Sequence, residues 1–364
     1  MALSALAKRN LAKILPFGVI WLIFGALFLW VEAAVLGGQE NAAATAVKLD
    51  AQIVTFALSV IFLIGCIVGF IEVKYLSRWF EKNSFLVKIG SKFFIYLLFF
   101  LLIIVINFPI AASLELDTTI VDQRVWDKFY NFFFSITHLS AIIQLSFSLM
   151  ISLLYAEVSD HLGQQVMLNF FTGKYHNPIE EERIFMFVDM KDSTTIAEKI
   201  GNQHYFELLR SYYFTFSNAI IKNQGEVYQY VGDEIVITWK LKRGITNNQC
   251  IQCFFDMKKD LQKKQKLYHK KYGVELDFKA ALHYGHVITG EIGALKKDIF
   301  FTGDVLNTTA RILGLASVYR EDLLLSEPLS RKLNLPETYT VKKLGAPSLK
   351  GKADSVEIVA VYKN

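Results

Sequence analysis

A bundle of four membrane-spanning α-helices joined to an α+β domain is the architecture this sequence predicts, on three observations. Four apolar segments, each long enough to cross a bilayer, lie near residues 15–36, 53–71, 93–113 and 132–155. From Arg183 onward the pattern changes to strand and helix periods in the order βαββαβ, which fits a ferredoxin-like sheet. Two short motifs, Phe187-Val188-Asp189-Met190-Lys191-Asp192-Ser193-Thr194 and Tyr230-Val231-Gly232-Asp233-Glu234, each end an apolar strand-like run on an aspartate.

The membrane part comes first. The 53% hydrophobic content of the 364 residues averages a very apolar beginning with an ordinary globular remainder. The first segment has no small-residue cleavage site after a short apolar core and three more spans follow, which argues against a cleaved signal peptide. Lys8, Arg9 and Lys13 precede the first span, and Lys74, Arg78, Lys82, Lys88 and Lys92 lie between the second and third, so both stretches are expected on the cytoplasmic side. Glu40 and Asp50, then Glu115, Asp117, Asp122 and Asp127, mark the outer loops. An even number of spans puts both termini in the cytoplasm, at the plasma (inner) membrane. The net charge of +5 belongs to inside-facing loops and cytosolic surface, and no nucleic-acid partner is implied. Glu32, His138 and Gln144 are polar positions in or near spans; Glu32 is placed close to the outer interface, and His138 and Gln144 are read chiefly as hydrogen-bonding partners of a neighbouring helix.

Residues 1–156 are therefore assigned to the membrane region, 157–180 to a helical linker and 181–364 to the catalytic domain. The last span is expected to continue as a helix until Gly173 and the Asn177-Pro178 pair stop it. In the domain, 184–188 reads as a buried strand and 194–222 as one amphipathic helix, with Ser193 or Thr194 at its start. Residues 226–230 and 235–240 make a hairpin around Gly232-Asp233, and a helix over 247–272 follows. Two strands, 278–283 and 287–292, are expected on either side of a Tyr284-Gly285-His286 turn, and a helix after Gly303 carries Asn307 and Arg311. Cys250 and Cys253 read as a buried helix face, because a lone Cys-x-x-Cys without a second ligand pair is weak evidence for zinc. The basic run from Lys258 to Lys271 reads as an exposed helix face, with anionic lipid as the other reading.

Chemistry enters through combination. A Gly-Asp turn alone is usually only a turn, but two aspartates brought to one sheet rim can hold divalent metal against a phosphate chain. Backbone amides at a helix start, here Met190 to Thr195, favour anions. Asn307 and Arg311 are four residues apart, so one helix face can present both to one ligand.

The stretch from Glu181 to Asn364 resembles the catalytic domain of class III adenylyl and guanylyl cyclases, and the whole layout resembles the bacterial membrane-bound type. The resemblance rests on the two aspartate motifs, on Asn307-Thr308-Thr309-Ala310-Arg311 and on Leu349-Lys350-Gly351-Lys352, in that order. It implies that Asp189, Asp233 and the Met190 carbonyl bind two Mg²⁺ ions, with Mn²⁺ substituting. It further implies that Lys191, Asp192, Ser193, Thr194, Thr195 and Lys350 or Lys352 meet the phosphates, while Asn307 and Arg311 act on the transition state. Family sites form head to tail, so a homodimer with shared sites follows. The positions that select the base are Gln229 and Phe300, with Thr302 nearby, and they match neither the adenine nor the guanine pattern. ATP is preferred over GTP because glutamine without an acidic partner lacks the carboxylate that guanine's donors favour. The expected activity is that of a membrane-anchored adenylate cyclase making cyclic AMP and pyrophosphate; the alternatives are a guanylate or dual-purine cyclase and a silent nucleotide-binding sensor. A diguanylate cyclase fits less well, since Val231 and Ile235 flank Gly232-Asp233-Glu234 where its signature has glycine and phenylalanine.

Overall fold

The computed structural model describes residues 5–36, 51–80, 83–163, 166–167, 169, 172–295, 297–347 and 355–364. Two compact units divide the chain, the first covering Ala7–Leu168 and the second Asn169–Asn364, to which Met1–Leu6 is also assigned.

The first unit contains α1 (Ala5–Leu36), α2 (Ala51–Ile71), α3 (Phe85–Glu115), α4 (Gln123–Phe133) and α5 (Ile136–Leu162). Four of its helices are long and apolar enough to cross a membrane, over Arg9–Val31, Ala57–Leu76, Phe85–Ile110 and His138–His161. Their shared core is aromatic and aliphatic, built on Phe17, Trp21, Val68, Phe100 and Leu149. The Trp21 indole donates to Ser152 Oγ at 3.0 Å, which satisfies a buried polar atom. At Glu72–Leu76 the second helix widens into a π turn, where Glu72 pairs with Lys92 inside the bundle. His138 is buried, its Nδ1 2.6 Å from the carbonyl of Phe133, the last residue of the preceding helix.

Two boundaries differ from the sequence reading. Residues 132 and 133 belong to α4, a separate amphipathic helix capped by Asp122, which accepts from the Arg124 amide at 2.9 Å. The last long helix stops at Gly163, whose φ of 86° ends it well before Gly173. Glu40 and Asp50, Lys82 and the side chain of Glu32 lie outside the described residues.

The second unit is an eight-stranded mixed sheet in the order β2-β3-β1-β4-β6-β8-β7, with β5 paired to β4. The strands are β1 (Ile179–Met190), β2 (Glu226–Val231), β3 (Glu234–Lys240), β4 (Phe278–Ile292), β5 (Asp298–Thr302), β6 (Leu323–Ser326), β7 (Tyr339–Gly345) and β8 (Ile358–Lys363). Alternation along β1 sorts its side chains between two cores. Ile184, Met186 and Val188 pack against α7 (Asn202–Lys222) and α8 (Gln249–Tyr272) on one face. Phe185 and Phe187 pack against α9 (Asp304–Tyr319) on the other. Each such fully buried side chain contributes about 1.5–3 kcal/mol. Cys250 and Cys253 fall on the core side of α8, both fully buried, as their spacing on a helix face implies.

The expected helix over 194–222 is two helices, α6 (Ser193–Ile200) and α7, broken at Gly201 with φ 79° and ψ 156°. The expected turn at Tyr284-Gly285-His286 is absent, because β4 runs straight through it as one strand. Gly285 is there for closeness: a Cβ at this position would lie 2.7 Å from Val305 Cγ2 on α9. The glycine lets the helix carrying Asn307 and Arg311 sit directly on the strand.

Candidate active site

Adjacent rim positions of β1 and β3 bring the two aspartates together. Asp189 lies next to the end of β1, and Asp233 occupies the turn joining β2 to β3, with Val188 paired to Ile235 and Val231 to Glu234. The Tyr213 hydroxyl donates to the Gly232 carbonyl, and its ring packs against Tyr230 at 4.5 Å, holding the hairpin tip in place. Asp233 Oδ2 is buried without a hydrogen-bond partner. Folding has thus left an unsatisfied carboxylate oxygen beside a second carboxylate, an arrangement that costs free energy until a cation or donor meets it.

The electrostatics agree. Burial pushes the Asp189 carboxyl above its usual range and the Asp233 charge adds to that, against the Lys279 ammonium 3.2 Å away. Glu234 is pushed up to about 7, first by burial and then by Asp189 and Asp233. The carboxyl charges of Asp189 and Asp233 therefore reach one another and Glu234 along this rim. Lys279 and Glu234 are members of this cluster that sequence reasoning missed. Lys279 meets Asp189 only through the β1–β4 register, which brings together residues ninety positions apart and leaves no local signal.

The turn after Asp189 is shaped by charge. Lys191 does not point to open solvent: its ammonium pairs with Asp277 at 2.7 Å and with Asp322, and Lys258 joins the same two carboxylates. Half-burial opposes ionisation of Asp277, and hydrogen bonds from Lys191 and Lys258 outweigh it, so its carboxyl is lowered overall. The Lys191 amide donates to the Asp277 carbonyl at 2.9 Å. Asp192 adopts the left-handed region at φ 56° and precedes α6, but its side chain makes no cap hydrogen bond. The first turn of α6 holds Ser193, Thr194 and Thr195, whose amides have no preceding helical turn to donate to.

Asn307 and Arg311 stand on the outward face of α9, opposite the buried Val305, Thr308, Thr309, Ile312 and Ala316. Asn307 is exposed and Arg311 half-buried. Among the described residues no ion pair joins Arg311 to Asp189 or Asp233 of the same chain. The Lys279 ammonium, which pairs with Asp189, also donates to Ser317 Oγ near the end of α9 at 2.9 Å. Gln229 lies beside a bulge in β2, and Phe300 and Thr302 lie on β5. Tyr228 meets Phe301 edge to face with ring centres 4.8 Å apart, so the strands carrying these three exposed residues adjoin. Lys350 and Lys352 lie outside the described residues.

Several known proteins are similar to this chain. Adenylate cyclase 2 of Rhizobium meliloti (strain 1021) is 34% identical over 204 residues, covering 56% of this chain and 56% of that protein. The adenylate cyclase of Anabaena cylindrica is 25% identical over 185 residues, covering 48% of this chain and 36% of that one. The chain thus matches about half or less of these relatives' own lengths. A solved bacterial light-regulated adenylyl cyclase has the same fold, with a TM-score of 0.51 at 22% identity, covering 62% of this chain and 64% of that one. Residues 176–361 match the adenylate and guanylate cyclase catalytic domain, and the chain belongs to that family.

Proposed function

We propose that this protein is a membrane-anchored adenylate cyclase that converts ATP to 3′,5′-cyclic AMP and pyrophosphate at sites shared between two copies of the chain, for signalling inside the cell. The observation that carries the reading is the Asp189–Asp233 pair with its unpartnered buried oxygen, within a domain of the cyclase family whose similar proteins are adenylate cyclases.

Hard divalent cations suit such a donor set. Asp189, Asp233 and the Met190 carbonyl would hold two Mg²⁺ ions, or Mn²⁺ in their place. Among the described residues no three His, Cys, Asp or Glu side chains converge as a metal group, so a bound magnesium would need further oxygen ligands from phosphate and water. When bound, the ions supply Lewis acidity to the ribose 3′ hydroxyl and neutralise the triphosphate.

The remaining roles belong to the chain's own groups. Amides of Ser193, Thr194 and Thr195 at the start of α6 receive the β and γ phosphates. Lys191 acts indirectly, because its ion pairs with Asp277 and Asp322 fix the turn that presents those amides. Asp192 shapes the same turn through its backbone. Lys350 or Lys352 adds a cation to the phosphates. The partner copy brings Asn307 to the ribose and Arg311 to the charge growing on the α-phosphate. Exposure of Asn307 on the outward face of α9 is what such sharing requires. Four apolar helices hold the domain at the membrane, with both termini in the cytoplasm, residues 157–180 serving as the linker and 181–364 as the catalyst.

Gln229, Phe300 and Thr302 select the purine. A second reading, a guanylate or dual-purine cyclase, draws on the absence of the usual adenine-reading lysine and acidic or threonine residue at 229 and 300. Turnover of ATP and of GTP by the purified chain with manganese, reading cyclic product and pyrophosphate, separates the two. Faster GTP turnover overturns the ATP assignment, and no cyclic product from either nucleotide overturns the cyclase reading.

A further inference from the structure

The outer face of the α7–α8 layer carries a basic stripe and exposed aromatic rings. On α8 the core side is set by Cys250, Cys253, Phe254, Met257 and Leu261, and Lys259, Lys263, Lys266 and Lys270 repeat at helical spacing on the opposite side. All four are exposed, and among the described residues only Lys263 of the four has an acidic partner, Asp260 at 2.7 Å. On α7, Leu208, Tyr212 and Phe216 face the core, while Phe206 and Phe214 stand on the far side at 71% and 75% exposure. The two helices lie side by side, tied by Lys271 to Glu207 at 3.3 Å and by the hydroxyls of Ser211 and Tyr268. Leu267, 49% exposed, adds a third apolar group to the rim.

We propose that this face docks on an anionic lipid bilayer, with the α8 lysines against headgroup phosphates and Phe206, Phe214 and Leu267 in the interfacial layer. Cationic side chains flanking exposed rings match the chemistry of an acidic leaflet, which attracts basic clusters and receives aromatic rings at headgroup depth. A second copy of the chain is a poor occupant, since a two-fold contact would set lysine against lysine.

The inference rests on the four helices residing in a bilayer, which incorporation of the full chain into lipid nanodiscs tests by itself. Once incorporated, acylation rates of Lys259, Lys263, Lys266 and Lys270 are compared by mass spectrometry in discs of phosphatidylcholine alone and in discs with added phosphatidylglycerol. Labelling slows about tenfold in the anionic discs and recovers at high salt, because the contact is screened. The double change Lys263→Glu with Lys266→Glu restores fast labelling at Lys259 and Lys270 in anionic discs. Equal rates in the two lipids overturn the proposal. Slow labelling in both lipids also overturns it, since a protein surface then covers the face.

Discussion

Replacing Arg183 with methionine tests how the sheet is held beside β5. The guanidinium is only 2% exposed and donates to Glu181 at 3.0 Å and to Glu226 at 2.9 Å. Its carbon lies 4.7 Å from the centre of the Phe301 ring, the neighbour of Phe300 and Thr302. Removing one partner of a buried ion pair costs about 3–5 kcal/mol. Two facts place this case near the lower bound: Glu181 keeps Lys240 at 3.2 Å, and the Glu226 side chain is 30% exposed. Loss of the contact with the ring adds about 1 kcal/mol, for a total near 4 kcal/mol. In the full chain, amide exchange of β1 and β3 through global opening then accelerates about a thousandfold, at tenfold per 1.4 kcal/mol. Exchange changed by less than about tenfold would refute the assignment of Arg183 as the centre of this network.

Three further outcomes follow from the site and the helices. Chains carrying Asp189→Ala and Arg311→Ala are each inactive, with Arg311→Ala losing about a hundredfold to a thousandfold in rate, and mixing them restores cyclic-product formation at one hybrid site; a mixture as dead as its parents refutes shared sites. Glu234, at about 7 against an ordinary 4.5, holds a proton in the folded state that the unfolded chain has released. Its stabilising contribution is therefore complete below 4.5 and lost as pH rises through about 7, so in chelator the melting temperature of the domain falls across that window, and Glu234→Gln flattens the fall. Inserting one residue at Val158, within α5, turns everything beyond it by about 100° and changes basal cyclase activity; unchanged activity shows that helix phase does not reach the catalyst.

Much of this molecule can be read before folding it. Both aspartates are legible because each closes an apolar run with a turn, and Asn307 and Arg311 because helical spacing aligns them. What escapes is anything decided by partners distant in sequence. Gly285 looks like a turn residue between two apolar runs, yet its reason is Val305, twenty positions later. Lys191 looks like a phosphate ligand beside Asp189, yet Asp277 and Asp322 take its charge. Gly201 is different, because an Ile200-Gly201-Asn202 sequence is a helix stop and start that attention to capping would find. The end of α5 at Gly163 carried a similar mark.

On the proposed function, the lone oxygen of Asp233 would tie the survival of the protein to its mineral supply. An ion that binds the assembled aspartate pair and not the unravelled chain raises the unfolding free energy by about 2.7 kcal/mol at a hundred times its dissociation constant. Degradation that proceeds through the opened domain slows by the same factor, roughly a hundredfold. Cellular magnesium would then govern how long each molecule persists as well as how fast it turns over.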